Sequence, residues 1–224
     1  MKVLCYNIQA GCGGSKSHLS FWNYFKANPA VLEKIAEKIS ETKPDIIGLV
    51  EIDAGSFRSK NQIEFLISKF GYNYTSACKY GWASKLSMFK HQHIAILSKY
   101  PILETKRHFF SVGFKRLALE AVLQVGKEKV SAIVTHLSLG KNAREKQLSE
   151  LAETVKTIKK VIVLGDFNAE NINLNLNSTS GKTFPSWNPQ KQFDYIFSNQ
   201  KIKKSEILPW QLSDHLSVLA EIDL

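Results

Sequence analysis

Eight short runs of β-branched and aliphatic residues dominate this chain, and only three stretches carry helical spacing. The runs at 2–8, 45–51, 93–99, 117–125, 130–137, 161–164, 193–197 and 216–222 are predicted as strands. Helix signals begin at Asn28 and Pro29, an N-cap and a first helical position, and continue through Val31, Leu32, Ile35 and Ile39 until Pro44 bars extension. A second helix carries Ile63, Leu66, Ile67 and Phe70 and stops at Gly71. A third carries Leu148, Leu151, Val155 and Ile158. Each helix has one apolar stripe, so each should cover one face of a sheet. A hairpin turning at Gly126 and Lys127 excludes an all-parallel sheet. The expected class is therefore α/β, with two mixed sheets packed face to face and helices outside.

Polar groups stand at the ends of these runs in an unusual number. The segment VIVLGDFNAE passes from four buried-strand residues straight into Asp166 and Asn168. Alone, that is as well explained by an Asx turn as by a functional site. However, Asn7 follows the first run, Glu51 the second and His136 the fifth, Asp194 opens the seventh, and Asp214 and His215 precede the eighth. Capping accounts poorly for so many strand termini at once. If those termini share one edge, acids, amides and imidazoles converge there. Such oxygen-rich sets suit Mg²⁺ or Mn²⁺, and the lack of ligating cysteines or a helical HExxH argues against zinc.

With 44% hydrophobic residues the chain has ample core material, so disorder is excluded. Three cysteines make no disulfide framework and no CxxC pair. No apolar run reaches a membrane span and the first residues make no secretory h-region, so the cytoplasm is the expected location. We expect one domain over residues 1–224 and a monomer. Two phosphate-loop lookalikes fail: STSGKT has Leu176 where the motif needs glycine, and QAGCGGSK has Lys16 where a third glycine belongs. The 168–188 stretch, rich in Asn and Ser, reads as a long surface excursion.

Net charge is +10, and its distribution is uneven. Between Lys79 and Arg116 stand Lys79, Lys85, Lys90, Lys99, Lys106, Arg107, Lys115 and Arg116 against the single acid Glu104. Tyr80, Trp82, Phe89, Tyr100, Phe109, Phe110 and Phe114 are interleaved with them. That mixture suits phosphate contact plus base stacking, or a lipid headgroup interface.

The ordered set YNIQ, LVEID, AILSKYPI, THLS, GDFN, DYIF and SDH resembles the endonuclease/exonuclease/phosphatase superfamily over nearly the whole chain, from Asn7 to His215. The resemblance implies a four-layer α/β sandwich and a Mg²⁺-dependent phosphodiesterase, with Mn²⁺ as a substitute. It implies Glu51, Asn7 and Asp214 as metal ligands, His215 as the catalytic histidine oriented by Asp194, and Asp166 at the attacking water. Asn168 and His136 would hold the scissile phosphate, with Arg116 as a further phosphate contact. Relatives acting at abasic sites usually carry Tyr where this chain has His136 and Gln where it has Val50. The expected substrate is nucleic acid, met through the 79–116 segment. The alternatives are a phospholipid phosphoesterase of the sphingomyelinase or phosphoinositide kind, and a non-catalytic nucleic-acid-binding module on the same fold.

Overall fold

The computed structural model describes residues 1–14, 27–81 and 85–224. The QAGCGGSK loop beyond Gly14 and the aromatic Trp82 lie outside the described residues. In chain order the elements are β1 (Lys2–Asn7), α1 (Pro29–Thr42), β2 (Ile46–Ser56), β3 (Ser59–Asn61), α2 (Gln62–Phe70), β4 (Asn73–Cys78), α3 (Ser87–Lys90), β5 (Gln92–Ser98) and β6 (Ile102–Phe109). There follow β7 (Leu117–Val125), β8 (Glu128–His136), α4 (Lys141–Lys156), β9 (Val161–Asp166), β10 (Asn177–Ser178), β11 (Asp194–Ser198), β12 (Ile202–Leu208) and β13 (Ser217–Ile222).

Two mixed sheets result, ordered β12-β13-β1-β2-β5-β4 and β10-β11-β9-β8-β7-β6, with β3 attached to β2. Each is built around one parallel pair joined through a helix: β1 and β2 through α1, β8 and β9 through α4. All other pairings are antiparallel. Alternation along the strands sorts side chains into three cores. Val3, Cys5, Ile46, Val50, Leu119 and Leu164 fill the space between the sheets. Leu4, Tyr6, Ile47 and Leu49 meet Ile35 and Ile39 of α1 and Leu66 of α2 on one outer face. Ile133, Val161 and Val163 meet Leu151 and Val155 of α4 on the other. The chain is thus an α/β sandwich of four layers.

The helix boundaries follow local chemistry. The Asn28 carboxamide accepts from the Ala30 N–H and caps α1, whose end is closed by Lys43 in a left-handed conformation. Asn61 caps α2, and Gly71 closes it at φ 66°. Five strands have no counterpart in the apolar runs: β3, β4, β6, β10 and β12. The 168–188 excursion supplies one of them, β10, which pairs with β11.

Candidate active site

Parallel pairing sends the carboxyl ends of β1, β2, β8 and β9 to a common edge, the usual location of functional groups in α/β sheets. Asn7 stands opposite Val50 in the first sheet, and His136 opposite Asp166 in the second. β11 runs antiparallel to β9, so its first residue, Asp194, faces Asp166. β13 runs antiparallel to β1, and His215 lies just before it. The termini singled out in the sequence therefore do meet.

Two backbone features make the approach possible. Gly165 has φ 150°, and a Cβ there would collide with the Thr135 carbonyl oxygen of β8. Its lack of a side chain lets β9 pair closely with β8 one residue before Asp166. Glu51 has φ 58° in the middle of β2, at a register shift between Leu49 and Ile52 against β5. Val50 faces the inter-sheet core but Ile52 faces the outer one, so the strand changes phase at Glu51. This is a β-bulge whose extra residue is the glutamate, aimed off both cores toward the edge.

Asp166 Oδ2 is the hub of the cluster. It accepts from Asn7 Nδ2 at 3.1 Å and lies 3.3 Å from His136 Nε2 and 3.8 Å from His215 Nε2. His215 Nδ1 is 2.7 Å from Asp194 Oδ2. On the other side His136 Nδ1 is 3.7 Å from Glu51 Oε1. A continuous path of polar contacts thus joins Glu51 to His215 and Asp194.

Two residues that motif reading left out complete the site. Lys79 follows β4 and Lys115 precedes β7. The Lys79 ammonium donates to Glu51 Oε1 at 3.0 Å and lies 3.5 Å from His136 Nδ1, with only 1% of its side chain exposed. Lys115 Nζ approaches His136 Nε2. The same signal that marked the acids, a polar group at a strand terminus, was present for both lysines. In the sequence both stand within the basic 79–116 stretch, which hides that signal.

That stretch is largely consumed by internal pairing. Lys99 binds Asp45, and Lys106 lies beside Glu104 and Glu120. Arg116 donates from Nε to the Phe110 carbonyl and from Nη2 to that of Ser111, so it stiffens its own loop. Tyr80, Phe89 and Phe114 pack ring on ring at 4.8 to 5.1 Å, and the Lys79 ammonium sits 5.4 Å from the Tyr80 ring. Asn168, at φ 52°, gives its N–H to Asp166 Oδ1 at 2.9 Å and its amide to the Leu137 carbonyl at 2.9 Å.

Charges in the cluster shape one another. Burial opposes charge on His215, but Asp194, Asp166 and Asp214 overcome it and push the imidazole up to about 10. Burial together with Lys115 and Lys79 pushes His136 down to about 4, so it is neutral at pH 7. Glu51 resists its burial because Lys79, His136 and Lys115 hold it down at about 2. Asp166, also buried, is kept well below the carboxylate range by His136 and His215. Burial and the Lys79 charge lower Lys115 to about 8.

Asp214 is pushed up to about 6 by burial, and the charge of Glu51 adds to the effect. A buried carboxyl whose ionisation is made costly for want of a counter-charge is the condition a divalent cation relieves. The donors on this side, Glu51, Asp214 and Asn7, are all oxygen-bearing, which fits a hard cation. A second acidic group is present, since ligand atoms of Asp166, Asp194 and His215 lie within 4.8 Å of one another. In that trio His215 Nδ1 is already engaged by Asp194.

No curated protein matches the chain by sequence. Similar solved structures include a mannosyl-6-phosphatase from Bacteroides thetaiotaomicron (16% identity, TM-score 0.76), with each chain covered in full. The human nocturnin catalytic domain with bound sulfate is 21% identical at a TM-score of 0.72, covering all of this chain and 93% of that one. Zebrafish (D. rerio) TDP2 in complex with single-strand DNA product is 14% identical at a TM-score of 0.72, covering 100% and 99%. At such identities the likeness is one of fold. The model of the Endonuclease/Exonuclease/phosphatase family matches residues 4–215, from within β1 to the histidine of the cluster, and the chain belongs to that family.

Proposed function

We propose that the chain is a Mg²⁺-dependent phosphodiesterase acting on nucleic acid. The observation that carries this reading is the unbroken path of contacts from Glu51 through His136 and Asp166 to His215 and Asp194. Glu51, Asp214 and Asn7 would hold the divalent cation, Mg²⁺ or in its place Mn²⁺, which when bound withdraws charge from the phosphate as a Lewis acid.

The chain's own groups do the rest. The ammonium ions of Lys79 and Lys115, with neutral His136 between them, receive the non-bridging phosphate oxygens. Asp166 accepts a hydrogen bond from the attacking water and points its oxygen at phosphorus. Its depressed proton affinity suits orientation more than complete proton removal. As the water oxygen bonds to phosphorus, its proton passes by way of Asp166 to solvent; as the bond to the leaving oxygen breaks, that oxygen takes the electron pair and then a proton from solvent, and negative charge grows on the phosphoryl group meanwhile. The His215 imidazolium, kept charged and in place by Asp194, offsets that charge. Asn168 holds Asp166 through its N–H and closes the side toward Leu137.

Nucleic acid is favoured by the Tyr80, Phe89 and Phe114 rings beside the two lysines, a neighbourhood suited to stacked bases. The sulfate bound to nocturnin and the phosphate groups of the single-strand DNA product bound to TDP2 are tetrahedral oxyanions, which agrees with an oxyanion pocket at this edge. The test is a panel of plasmid DNA, single-stranded RNA, sphingomyelin, a sugar phosphate and a bis-aryl phosphate, each with Mg²⁺ and with EDTA. Cleavage of a nucleic acid that EDTA abolishes, and that falls by roughly a hundredfold or more in His215→Ala, is the expected result. Turnover of sphingomyelin or the sugar phosphate alone overturns the substrate assignment. Tight, salt-sensitive DNA binding without turnover of any substrate replaces the enzyme with a binding module.

A further inference from the structure

Glu51 occupies a left-handed backbone conformation, which a non-glycine residue keeps only where its surroundings over-determine it. On the near side β2 is fixed by the sheet, with Ile8 N–H bonded to the Val50 carbonyl at 3.0 Å. On the far side the constraint comes from a buried hydrogen-bond network centred on Asp53. Asp53, fully buried, accepts at Oδ1 from the N–H groups of Gly55 (3.0 Å) and Ser56 (2.9 Å). At Oδ2 it accepts from Ser56 Oγ (2.6 Å) and Arg58 Nη2 (2.8 Å). The Arg58 side chain is itself 4% exposed, so the tip of the β2–β3 hairpin is locked to the strand that carries Glu51.

Gln62 extends this lock to the other sheet strand of the site. Its Oε1 accepts from the Asp53 N–H at 3.0 Å, and its Nε2 donates to the Ala10 carbonyl at 2.7 Å. Gln62 is 2% exposed, so both bonds are made in a dry environment. Ala10 lies in a turn with successive left-handed residues, φ 46° at Gln9 and 50° at Ala10, whose first N–H, that of Gln9, is held by Asn7 Oδ1 at 3.1 Å. One carboxamide therefore bridges the segment two residues beyond Glu51 and the segment three residues beyond Asn7. Those are two of the three oxygen donors assigned to the cation.

We propose that Gln62, supported by Asp53, is a positioning residue that fixes the Glu51 bulge against the Asn7 turn and so presets the spacing of the divalent-cation ligands. The proposal rests on the metal reading given above. Outer hydrogen bonds of this kind change metal affinity by about 10- to 100-fold when removed. A purely structural glutamine would change thermal stability and leave metal affinity alone.

The experiment measures Mn²⁺ binding by calorimetry and by paramagnetic resonance of the free ion, well below each variant's melting temperature. Gln62→Met keeps the length of the side chain and removes both hydrogen bonds; its Kd for Mn²⁺ should rise by about tenfold or more. Leu151→Ala, which hollows the core under α4, is the control and should lower the melting temperature with Kd unchanged. If Gln62→Met does not fold, Gln62→Asn, neutral but too short to span both partners, is read by the same criterion. A wild-type Kd in the Gln62 variant, beside a lowered melting temperature, overturns the proposal while the metal reading stands. A wild-type protein that binds no Mn²⁺ at millimolar concentration overturns both.

Discussion

His215 and Asp194 form a buried hydrogen-bonded ion pair, Nδ1 to Oδ2 at 2.7 Å, that spans the two sheets of the sandwich. The pair sets both orientation and charge: with Nδ1 committed to Asp194, Nε2 is the nitrogen turned toward Asp166. Asp194→Asn removes the principal charge that lifts the imidazole to about 10. A histidine whose proton affinity is raised in the folded protein is charged below its pKa and loses that charge as pH rises through it. The wild-type kcat should therefore hold until pH nears 10. Asp194→Asn should lose it at lower pH, with kcat reduced by about 10²- to 10⁴-fold at pH 8. A pH–rate profile of both proteins checks this, and a high-pH limb that does not move would contradict the assigned role. By the same linkage the pair's contribution to stability is present below the ordinary histidine value of about 6.5 and disappears as pH rises through about 10.

Lys115 offers a second titration in a more accessible range. Burial and Lys79 lower it to about 8, so free enzyme loses a phosphate-binding charge as pH rises through that value. Bound phosphate raises its proton affinity again. The decline should consequently appear in kcat/KM, which reports free enzyme, and be much weaker in kcat. Lys115→Arg should abolish the decline, because a guanidinium stays protonated throughout.

Gly165→Ala should destabilise the fold by roughly 1–3 kcal/mol or more, the scale of a strained backbone position. The added methyl group meets the Thr135 carbonyl oxygen, and neither β8 nor β9 can move without shifting His136 against Asp166. Urea denaturation gives the loss in stability. A variant as stable as wild type would show that the two strands have room the structure denies them.

Phe114 is 44% exposed at the end of the Tyr80 and Phe89 ring cluster. Phe114→Ala should weaken binding of single-stranded oligonucleotides by about 1–3 kcal/mol, the value of one stacked base. Turnover of a dialkyl phosphate, which has no base to stack, should be unaffected. Fluorescence titration with a 2-aminopurine oligonucleotide in EDTA measures the first quantity without interference from cleavage.

What the sequence concealed is as physical as what it displayed. β1, β2, β5, β7, β8, β9, β11 and β13 are buried strands, and burial on both faces writes a continuous apolar run such as VIVL or HIAIL. The strands without such a run lie at edges. β6 reads ILETKRHF and β12 reads IKKSEIL, with charges along most of their length, which keeps sheet edges from pairing with other chains but erases alternation. The site residues were legible because carboxylates and imidazoles stand out against strand ends. Lys79 was not, because lysine is so common on surfaces that a buried one has no local mark; only the pairing of β4 with β5 brings it to Glu51. The bulge at Glu51 was equally hidden, since LVEID carries no glycine to announce a left-handed residue.

The pairing of β1 with β13 has a bearing on how the protein is made. Lys2 lies opposite Glu221, so the strand bearing Asn7 leaves the ribosome some two hundred residues ahead of its partner and waits for it. Until that partner arrives, one side of β1 offers unbonded amides to any neighbouring chain, and the imidazole of His215 has not yet reached the carboxylates that charge it. Chains cut short of His215 would be sticky, inert polypeptides, so hydrolytic power is released only to chains that have closed their first sheet.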